Sequence, residues 1–298
     1  MTGAGCELPD RLRQLPCWHG KITTEPLSGG LSNMIWKVTD AAGQHVLRLG
    51  SDYPFHHVRR EREAMTARAA HARGFAPEVE YHAPGVMVTK FIKARTCDAR
   101  DLQRDPQGVA ALLRRFHTDM QKEVSGEAYF FWPFHVIRDY VRTLAGTDHA
   151  TGLPRYLALA KAMEAVQVPL PVAFAHNDLL PANFLDDGTR LWLIDYEYAG
   201  WSTPLFDLAG VAANADMPRA GATELLTAYF DAMPDMELLR AFAAMQVAAL
   251  IRELLWALVS DLHLSAPGVD YRAYAAENLI RLEAALSDYE SHYGPVTP

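Results

Sequence analysis

The spacing of hydrophobic and polar positions changes partway along the chain. Up to about Lys93, short apolar runs of strand length dominate. "MIWKV" and "HVLRL", on either side of the turn "TDAAGQ", predict a hairpin. The run "VMVTKFI" predicts a further strand, and "HHVRREREAMTARAAHARG", which ends on Gly74, predicts one helix. We therefore expect residues 1–93 to form a small lobe of strands with a single helix.

Beyond Lys93 the apolar residues recur at helical spacing. The segments with this periodicity are "GVAALLRRFHTDM", "LPRYLALAKAMEAV", "TELLTAYFDAM", the stretch around Trp256 and "AYAAENLIRLEAALSDYE". Strand-like runs interrupt them only in "AFAHNDLLPANFLDDGTRLWLIDYEYAG", residues 173–200. The pattern predicts an α+β fold with two lobes, the second of which is mainly helical and covers residues 94–298.

Polar side chains stand at the ends of the strands predicted within residues 173–200. "DDG" predicts a hairpin turn between "NFL" and "RLWLID", and Pro181 excludes a helix from "NDLLPA", which we therefore expect to be a loop. In an extended backbone, Asp195 and Glu197 would share one face and Tyr196 would point to the other. Four oxygen-bearing side chains would thus meet at one edge: Asp178, Asn183, Asp195 and Glu197.

This set of side chains matches the chemistry of phosphoryl transfer. Carboxylate and amide oxygens are ligands that suit Mg²⁺, which keeps further positions for water and phosphate. Asp178, on the loop before Asn183, is placed to receive the proton of a substrate hydroxyl, while Asn183 and Asp195 would hold the metal. The alternative is that each of the four side chains only caps or solvates a loop.

Composition and charge narrow the class of protein. Half of the 298 residues are hydrophobic, which is typical of a globular chain, and three scattered cysteines cannot form a disulfide framework. The net charge of −8 disfavours a nucleic-acid-binding surface and is compatible with a cationic substrate. Charged residues interrupt the most apolar stretch, 241–260, so we expect no membrane span and a cytoplasmic protein.

Two motifs carry a resemblance to a known family. "HNDLLPANFL" followed by "LIDYEYAG" resembles the catalytic core of the choline kinase and aminoglycoside phosphotransferase superfamily, whose two-lobed fold is protein-kinase-like. The form "IDYEYAG" is most similar to choline and ethanolamine kinases. The resemblance implies that Asp178 is the catalytic base and that Asn183 and Asp195 ligate Mg²⁺. It implies that Glu197 is a further carboxylate for the metal or the substrate ammonium, and that Asp207 in "FDLAG" braces the site.

The resemblance extends to an amino-terminal segment that would bind ATP. "SGGLSN" is similar to the nucleotide-covering loop of choline kinases and carries Ser28, Gly29, Gly30, Ser32 and Asn33, although for these residues alone a hairpin turn is commoner than a phosphate loop.

A basic residue that pairs with ATP phosphates is implied at Arg48. Glu63 would be its ion-pair partner, with Glu61 as a substitute, while neighbouring charges such as Arg60 are expected in solvent. Residues 89–92 are the expected backbone contacts of adenine.

A tryptophan on a polar helix face suggests how the substrate is bound. Val247, Leu250, Ile251, Leu254, Leu255 and Leu258 form an apolar stripe, whereas Glu253 and Trp256 lie on another face. Aromatic rings attract quaternary ammonium groups. "LLWALVS" is similar to the choline kinase helix that supplies such rings, with Val259 in the place of a second tryptophan. Tyr198 is a further candidate for the cage. The alternative is that Trp256 only packs between helices.

These observations predict an enzyme that uses ATP and Mg²⁺ to phosphorylate the hydroxyl of a small amino alcohol, choline first and ethanolamine second. Thiamine or an aminoglycoside is the alternative acceptor. A catalytically silent, nucleotide-binding pseudokinase is the alternative from another class. The sequence carries no signal for the oligomeric state.

Overall fold

The computed structural model describes residues 8–27, 33–127, 129–265 and 268–296. Within them, the amino-terminal part consists of α1 (Asp10–Arg13), β1 (Thr23–Leu27), β2 (Met34–Thr39), β3 (Gln44–Leu49), α2 (Arg60–Ala72), β4 (Val79–Ala83) and β5 (Val86–Lys90). The five strands form an antiparallel sheet in the order β1-β2-β3-β5-β4. The sheet covers a small core of its own, built around Trp36, Leu47 and Val88.

The predicted hairpin is confirmed, because β2 and β3 pair from Thr39 opposite Gln44 to Met34 opposite Leu49. The predicted helix begins later than its residues suggested. Pro54–His56 form a separate 3₁₀ turn, and α2 begins only at Arg60. Strand β1 was not predicted, since it lies at the edge of the sheet, where its polar residues and Pro26 are tolerated.

The second part is mainly helical, as predicted. Its elements are β6 (Arg95–Thr96), α3 (Ala99–Arg104), α4 (Pro106–Glu123), α5 (Pro133–Leu144), α6 (Leu153–Ala165), β7 (Ala173–Ala175), β8 (Phe184–Asp186), β9 (Leu191–Leu193), β10 (Gly200–Ser202), α7 (Pro204–Asn214), α8 (Arg219–Phe230), α9 (Met236–His263) and α10 (Tyr271–Tyr293). Helix α2 contacts both β4 and α4, so it lies between the sheet and the helices.

Helix α9 is the central helix of this part and packs against α5, α6, α7 and α10. Five of the six residues of the predicted apolar stripe are buried and Leu258 is half-buried, but most of the rest of the helix surface between Ala241 and Ser260 is buried as well. By length and composition α9 could cross a membrane, and 83% of its most apolar window is buried inside the protein. Such burial is typical of the core helix of a globular protein.

The strands within residues 173–200 divide between two small sheets. The predicted hairpin of β8 and β9 is confirmed, with Phe184 opposite Leu193, and β6 adds to it. Strand β7 pairs instead with β10. The loop from His176 to Asn183 therefore links two sheets, and Leu193 donates its N–H to the carbonyl of Phe75, which ties the hairpin to the end of α2.

Candidate active site

A cleft of about 460 Å³ opens between the five-stranded sheet and the helical part. The sheet contributes apolar side chains to one wall of the cleft, among them Ile35, Val46 and Met87. Its floor is formed by the loop after β7, the turn after β9 and the middle of α9. The predicted site residues that line the cleft are Asn33, Arg48, Glu63, Asp178, Asn183, Asp195, Glu197, Tyr198 and Trp256.

The loop after β7 places Asp178 and Asn183 side by side. Pro181–Asn183 form a 3₁₀ turn, and Asn183 donates its Nδ2–H to the backbone carbonyl of Asp178 over 2.8 Å. Ile194 donates its N–H to the carbonyl of Asn183 over 3.0 Å, which joins this loop to the turn that follows β9. The two segments that carry the predicted site are thus hydrogen-bonded to each other.

Asp207 at the start of α7 holds the backbone that leads into Asp178. Its buried carboxylate accepts the N–H groups of His176 and Asn177 over 2.8 and 2.7 Å, and it lies 2.9 Å from Nε2 of His117. Burial opposes ionisation, but these hydrogen bonds, with that of His117 the strongest, lower the pKa of Asp207 below its ordinary value. The geometry fits the bracing role that the resemblance implied.

The backbone at Asp195 differs from the predicted one. Strand β9 ends at Leu193, and Asp195 has a left-handed conformation with φ of 68°. The chain turns there, so the extended geometry predicted for Asp195 to Glu197 was wrong. The turn nevertheless directs Asp195 and Glu197 to the same guanidinium group, while Tyr196 stacks on Phe116 in the core. Aspartate tolerates a positive φ better than bulky residues do.

Arg48 on β3 is the cation that gathers these carboxylates. Its Nη1 lies 2.5 Å from Glu63 and 3.0 Å from Asp195, and its Nη2 lies 3.0 Å from Glu197. The predicted ion pair of Arg48 with Glu63 is therefore present, and Glu61 is exposed. Burial alone would lower the pKa of Arg48, but the three carboxylates raise it above its ordinary value.

A second buried arginine in the same network was not predicted. Arg60, which we expected in solvent, is buried and pairs with Glu63 over 2.7 Å and Glu197 over 2.8 Å, and it donates to Asn33 over 2.8 Å. Glu197 is thus paired with two guanidinium groups. Burial raises the pKa of Glu197, and Arg48 and Arg60 oppose that rise. Its predicted contacts with a metal or an ammonium group remain predictions.

Asp178 has a partner that the sequence did not reveal. Its carboxylate, 11% exposed, lies 3.1 Å from Nη1 of Arg252 in α9. Arg252 also pairs with its neighbour Glu253, which accepts a hydrogen bond from Tyr274 over 3.2 Å. Burial raises the pKa of Asp178 well above its ordinary value, and the charge of Arg252 opposes it. The only signal in the sequence was a charged pair inside an otherwise apolar helix.

The aromatic side chains at this end of the cleft pack on one another. Trp256 is 5% exposed, donates its Nε1–H to the hydroxyl of Tyr198 over 2.8 Å, and stacks on His56 at 5.2 Å between ring centroids. The polar face predicted for Trp256 was wrong, since Glu253 beside it is buried as well. The guanidinium group of Arg252 lies over the ring of Tyr198, 4.4 Å from its centroid.

The nucleotide side is described in part. Ser28, Gly29, Gly30 and Ser32 of the predicted phosphate loop lie outside the described residues. Asn33, at the end of that segment, lines the cleft and accepts a hydrogen bond from Arg60. Residues 89–92, the predicted adenine contacts, line the same cleft. Apolar residues from both parts, Val46 and Ile194 among them, flank that region.

The donor set fits Mg²⁺ bound together with a nucleotide. Among the described residues no group of three or more His, Cys, Asp or Glu side chains forms a metal site. Mg²⁺ does not require one, since it commonly takes one or two protein oxygens and completes its shell with phosphates and water. The Nδ2 of Asn183 is used by the loop, so the amide oxygen is the atom available to a metal, and Asp195 is 31% exposed.

Comparison of the sequence with known proteins identifies a family and several relatives. The family model described as choline/ethanolamine kinase matches residues 24–282. A probable ethanolamine kinase of Arabidopsis thaliana is 26% identical over 205 residues, which are 63% of this chain and 54% of that protein. The chain thus spans little more than half the length of this curated relative.

Solved structures of similar proteins cover almost the entire chain. A choline/ethanolamine kinase family protein from Mesorhizobium loti is 29% identical with a TM-score of 0.75, and the match covers 95% of both chains. The choline kinase LicA from Streptococcus pneumoniae gives a TM-score of 0.72 at 20% identity, over 90% of this chain and 94% of that one. The predicted two-part, kinase-like fold is therefore confirmed.

Proposed function

The chain belongs to the choline/ethanolamine kinase family, and we propose that it transfers the γ-phosphoryl group of ATP to the hydroxyl of a small amino alcohol. Choline is the first candidate acceptor and ethanolamine the second. One observation carries the proposal: Asp178, Asn183 and Asp195 line the same cleft as Arg48 on the opposite wall. These are the groups that phosphoryl transfer requires, a base, two metal ligands and a cation for the phosphates.

ATP would lie along the sheet side of this cleft. In our proposal residues 1–93 form the nucleotide-binding lobe and residues 94–298 the catalytic and substrate-binding lobe. The adenine would lie against residues 89–92, and the phosphates would lie between Arg48 and the segment 28–33. Asn183 and Asp195 would hold Mg²⁺, with Glu197 as an additional carboxylate. Bound there, the metal would neutralise charge on the phosphate oxygens.

The reaction needs one proton acceptor, and we assign that role to Asp178. The hydroxyl oxygen of the alcohol forms a bond to the γ-phosphorus as the bond from that phosphorus to the ADP oxygen breaks. The hydroxyl proton passes to the carboxylate of Asp178. A buried carboxylate with a raised pKa is a stronger base than an exposed one, which supports this assignment. The charge of Arg252, 3.1 Å away, opposes that rise in pKa and so favours the ionised form.

The acceptor would bind between Asp178 and α9, where Trp256, Tyr198 and Glu253 line the cleft. The carboxylates there favour a cationic group, which is a reason to choose an amino alcohol. Because His56 covers one face of Trp256, a cage open on both faces of this ring is excluded. We rank choline and ethanolamine above thiamine or an aminoglycoside because the matching family model is that of choline/ethanolamine kinases.

A panel of alcohols tests the proposal by ADP release in the presence of ATP and Mg²⁺. The panel holds choline, ethanolamine, thiamine and an aminoglycoside. We expect turnover with choline or ethanolamine, and a loss of several orders of magnitude in Asp178→Asn with ATP binding retained. Asp119→Asn, which changes a partly exposed carboxylate on α4 that pairs with Lys122 outside the cleft, is the matched control and should keep full activity.

Three outcomes would contradict the proposal. Turnover of the aminoglycoside alone would make the protein a kinase of another cationic alcohol. Binding of ATP without ADP release over any alcohol would make it a silent nucleotide-binding protein. Near-normal turnover by Asp178→Asn would remove Asp178 from its role as base.

A further inference from the structure

Arg252 lies in the middle of α9, where the acceptor alcohol is proposed to bind. The proposed reaction involves only its Nη1 atom, which pairs with Asp178. The side chain is 2% exposed and lines the cleft. Its Nη1 makes both of its ion pairs, one with Asp178 over 3.1 Å and one with the adjacent Glu253. One nitrogen of the guanidinium group therefore accounts for all of its pairing with carboxylates.

The other two nitrogens of Arg252, Nε and Nη2, are buried and have no hydrogen-bond partner among the residues described. Together they carry three of the five N–H donors of the group. A buried donor without an acceptor is costly, so each one in a native structure calls for a partner such as a water molecule, an ion or a ligand. The edge formed by Nε and Nη2 has the spacing of two oxygens of a carboxylate or a phosphate.

The surroundings fix the plane of this guanidinium group. It lies over the ring of Tyr198, 4.4 Å from the centroid, and Nη1 is anchored to Asp178. An arginine held in this way loses little further freedom when it binds a second oxyanion. The same contact means that the face of Tyr198 is already occupied by a cation of the protein, so this ring does not serve as an open wall for a substrate ammonium.

We propose that the Nε and Nη2 edge of Arg252 is an oxyanion subsite beside Asp178. The proposal rests on the proposed kinase function, because it places the subsite next to the hydroxyl that receives the phosphoryl group. Two sources could supply the oxyanion: the phosphoryl group during transfer, or an acidic group carried by the amino alcohol itself. In the first case Arg252 supports turnover of every acceptor; in the second it selects acceptors that carry an acid.

A matched pair of acceptors separates the two sources. Serine is ethanolamine with one added carboxylate, so the pair differs only in the group that Arg252 would bind. Arg252→Lys keeps a positive charge beside Asp178 but removes the Nε and Nη2 edge. Arg155→Lys is the control, since Arg155 pairs with Glu283 at the exposed surface. Steady-state kcat and KM are measured for both acceptors in the three proteins.

The loss of even one of these two charge-assisted hydrogen bonds lowers the rate or the affinity by about 10- to 100-fold. If the acceptor supplies the oxyanion, kcat/KM of Arg252→Lys falls by this factor more with serine than with ethanolamine. If the phosphoryl group supplies it, kcat falls equally with both acceptors and their KM values stay constant. Either result supports the subsite. Unchanged kcat and KM, or a shift of the acid limb of the pH profile alone, overturns it.

Failure of the proposed function gives a different result. If the wild-type protein releases no ADP with any alcohol, inorganic phosphate is titrated into the wild-type, Arg252→Lys and Arg155→Lys proteins. Weaker binding in Arg252→Lys alone then supports the subsite, whereas equal binding in all three overturns it. Circular dichroism checks the fold, and Arg252→Gln replaces the lysine variant if the latter does not fold.

Discussion

Replacing Arg48 tests how much this side chain contributes to the stability of the fold by pairing with the buried carboxylates of the cleft. In Arg48→Met the side-chain volume is nearly kept, but Glu63, Asp195 and Glu197 lose a guanidinium group that lies 2.5 to 3.0 Å away. Removing one partner of a buried ion pair costs about 3–5 kcal/mol of stability. Arg60 still pairs with Glu63 and Glu197, and Asp195 is partly exposed. We therefore expect the lower end, a loss of about 3 kcal/mol.

The dependence of this loss on pH has a definite sign. Burial already raises the pKa of Glu197, and Arg48 is among the charges that oppose the rise, so its removal raises that pKa further. A carboxyl whose pKa is higher in the folded than in the unfolded protein destabilises the fold increasingly as the pH rises above the unfolded value, about 4.3. The stability deficit of Arg48→Met should therefore be larger at pH 8 than at pH 5.

Urea denaturation of both proteins at the two pH values measures the free energies of unfolding. Arg68→Met is the control, because Arg68 is exposed on the neighbouring helix α2, and its loss should cost less than about 0.5 kcal/mol. A deficit below about 1 kcal/mol in Arg48→Met would refute the reasoning, because removing one partner of a buried ion pair costs more than that. A deficit of equal size at pH 5 and pH 8 would refute it as well.

Three further predictions concern the residues around the loop. Asp207→Asn should cost about 3 kcal/mol in urea denaturation, since it removes a charged acceptor of several hydrogen bonds. Because the pKa of Asp207 is lowered in the fold, this deficit should be full above pH 4 and shrink below it. Burial raises the pKa of Asp178, so the rate of phosphoryl transfer should begin to fall at a higher pH than an ordinary aspartate, with a pKa of about 3.9, would give. A pH–rate profile measures this. Trp256→Phe should cost about 1 kcal/mol by leaving the hydroxyl of Tyr198 without its donor, and equal stability would contradict this.

The sequence was sufficient wherever a residue acts within its own segment. Asp178 and Asn183 are five positions apart on one loop, and Pro181 excludes a continuous α-helix between them. The β2–β3 and β8–β9 hairpins follow from apolar runs on either side of turn residues. Local spacing thus predicted these two hairpins, the loop and the residues that the loop carries.

The sequence did not reveal partners that come from distant segments. Arg252 lies 74 positions from Asp178, and Arg60 lies 137 positions from Glu197. Charged residues in helices are usually solvated. Arg60 and Arg252 are buried only because α2 and α9, which carry them, pack beside the cleft. The turn at Asp195 was not predicted for another reason. The pattern of apolar residues does not indicate which residue after a short strand has a left-handed backbone conformation.

The most direct test of the central claim is the position of the metal in a nucleotide complex. Crystals of the protein grown with Mn²⁺ and a non-hydrolysable ATP analogue would reveal the metal by its anomalous scattering. We predict a peak about 2 Å from the amide oxygen of Asn183 and from the carboxylate of Asp195, with Asp178 beside the terminal phosphate and off the metal. A metal bound away from Asn183 and Asp195, with Asp195 still paired to Arg48, would contradict the account.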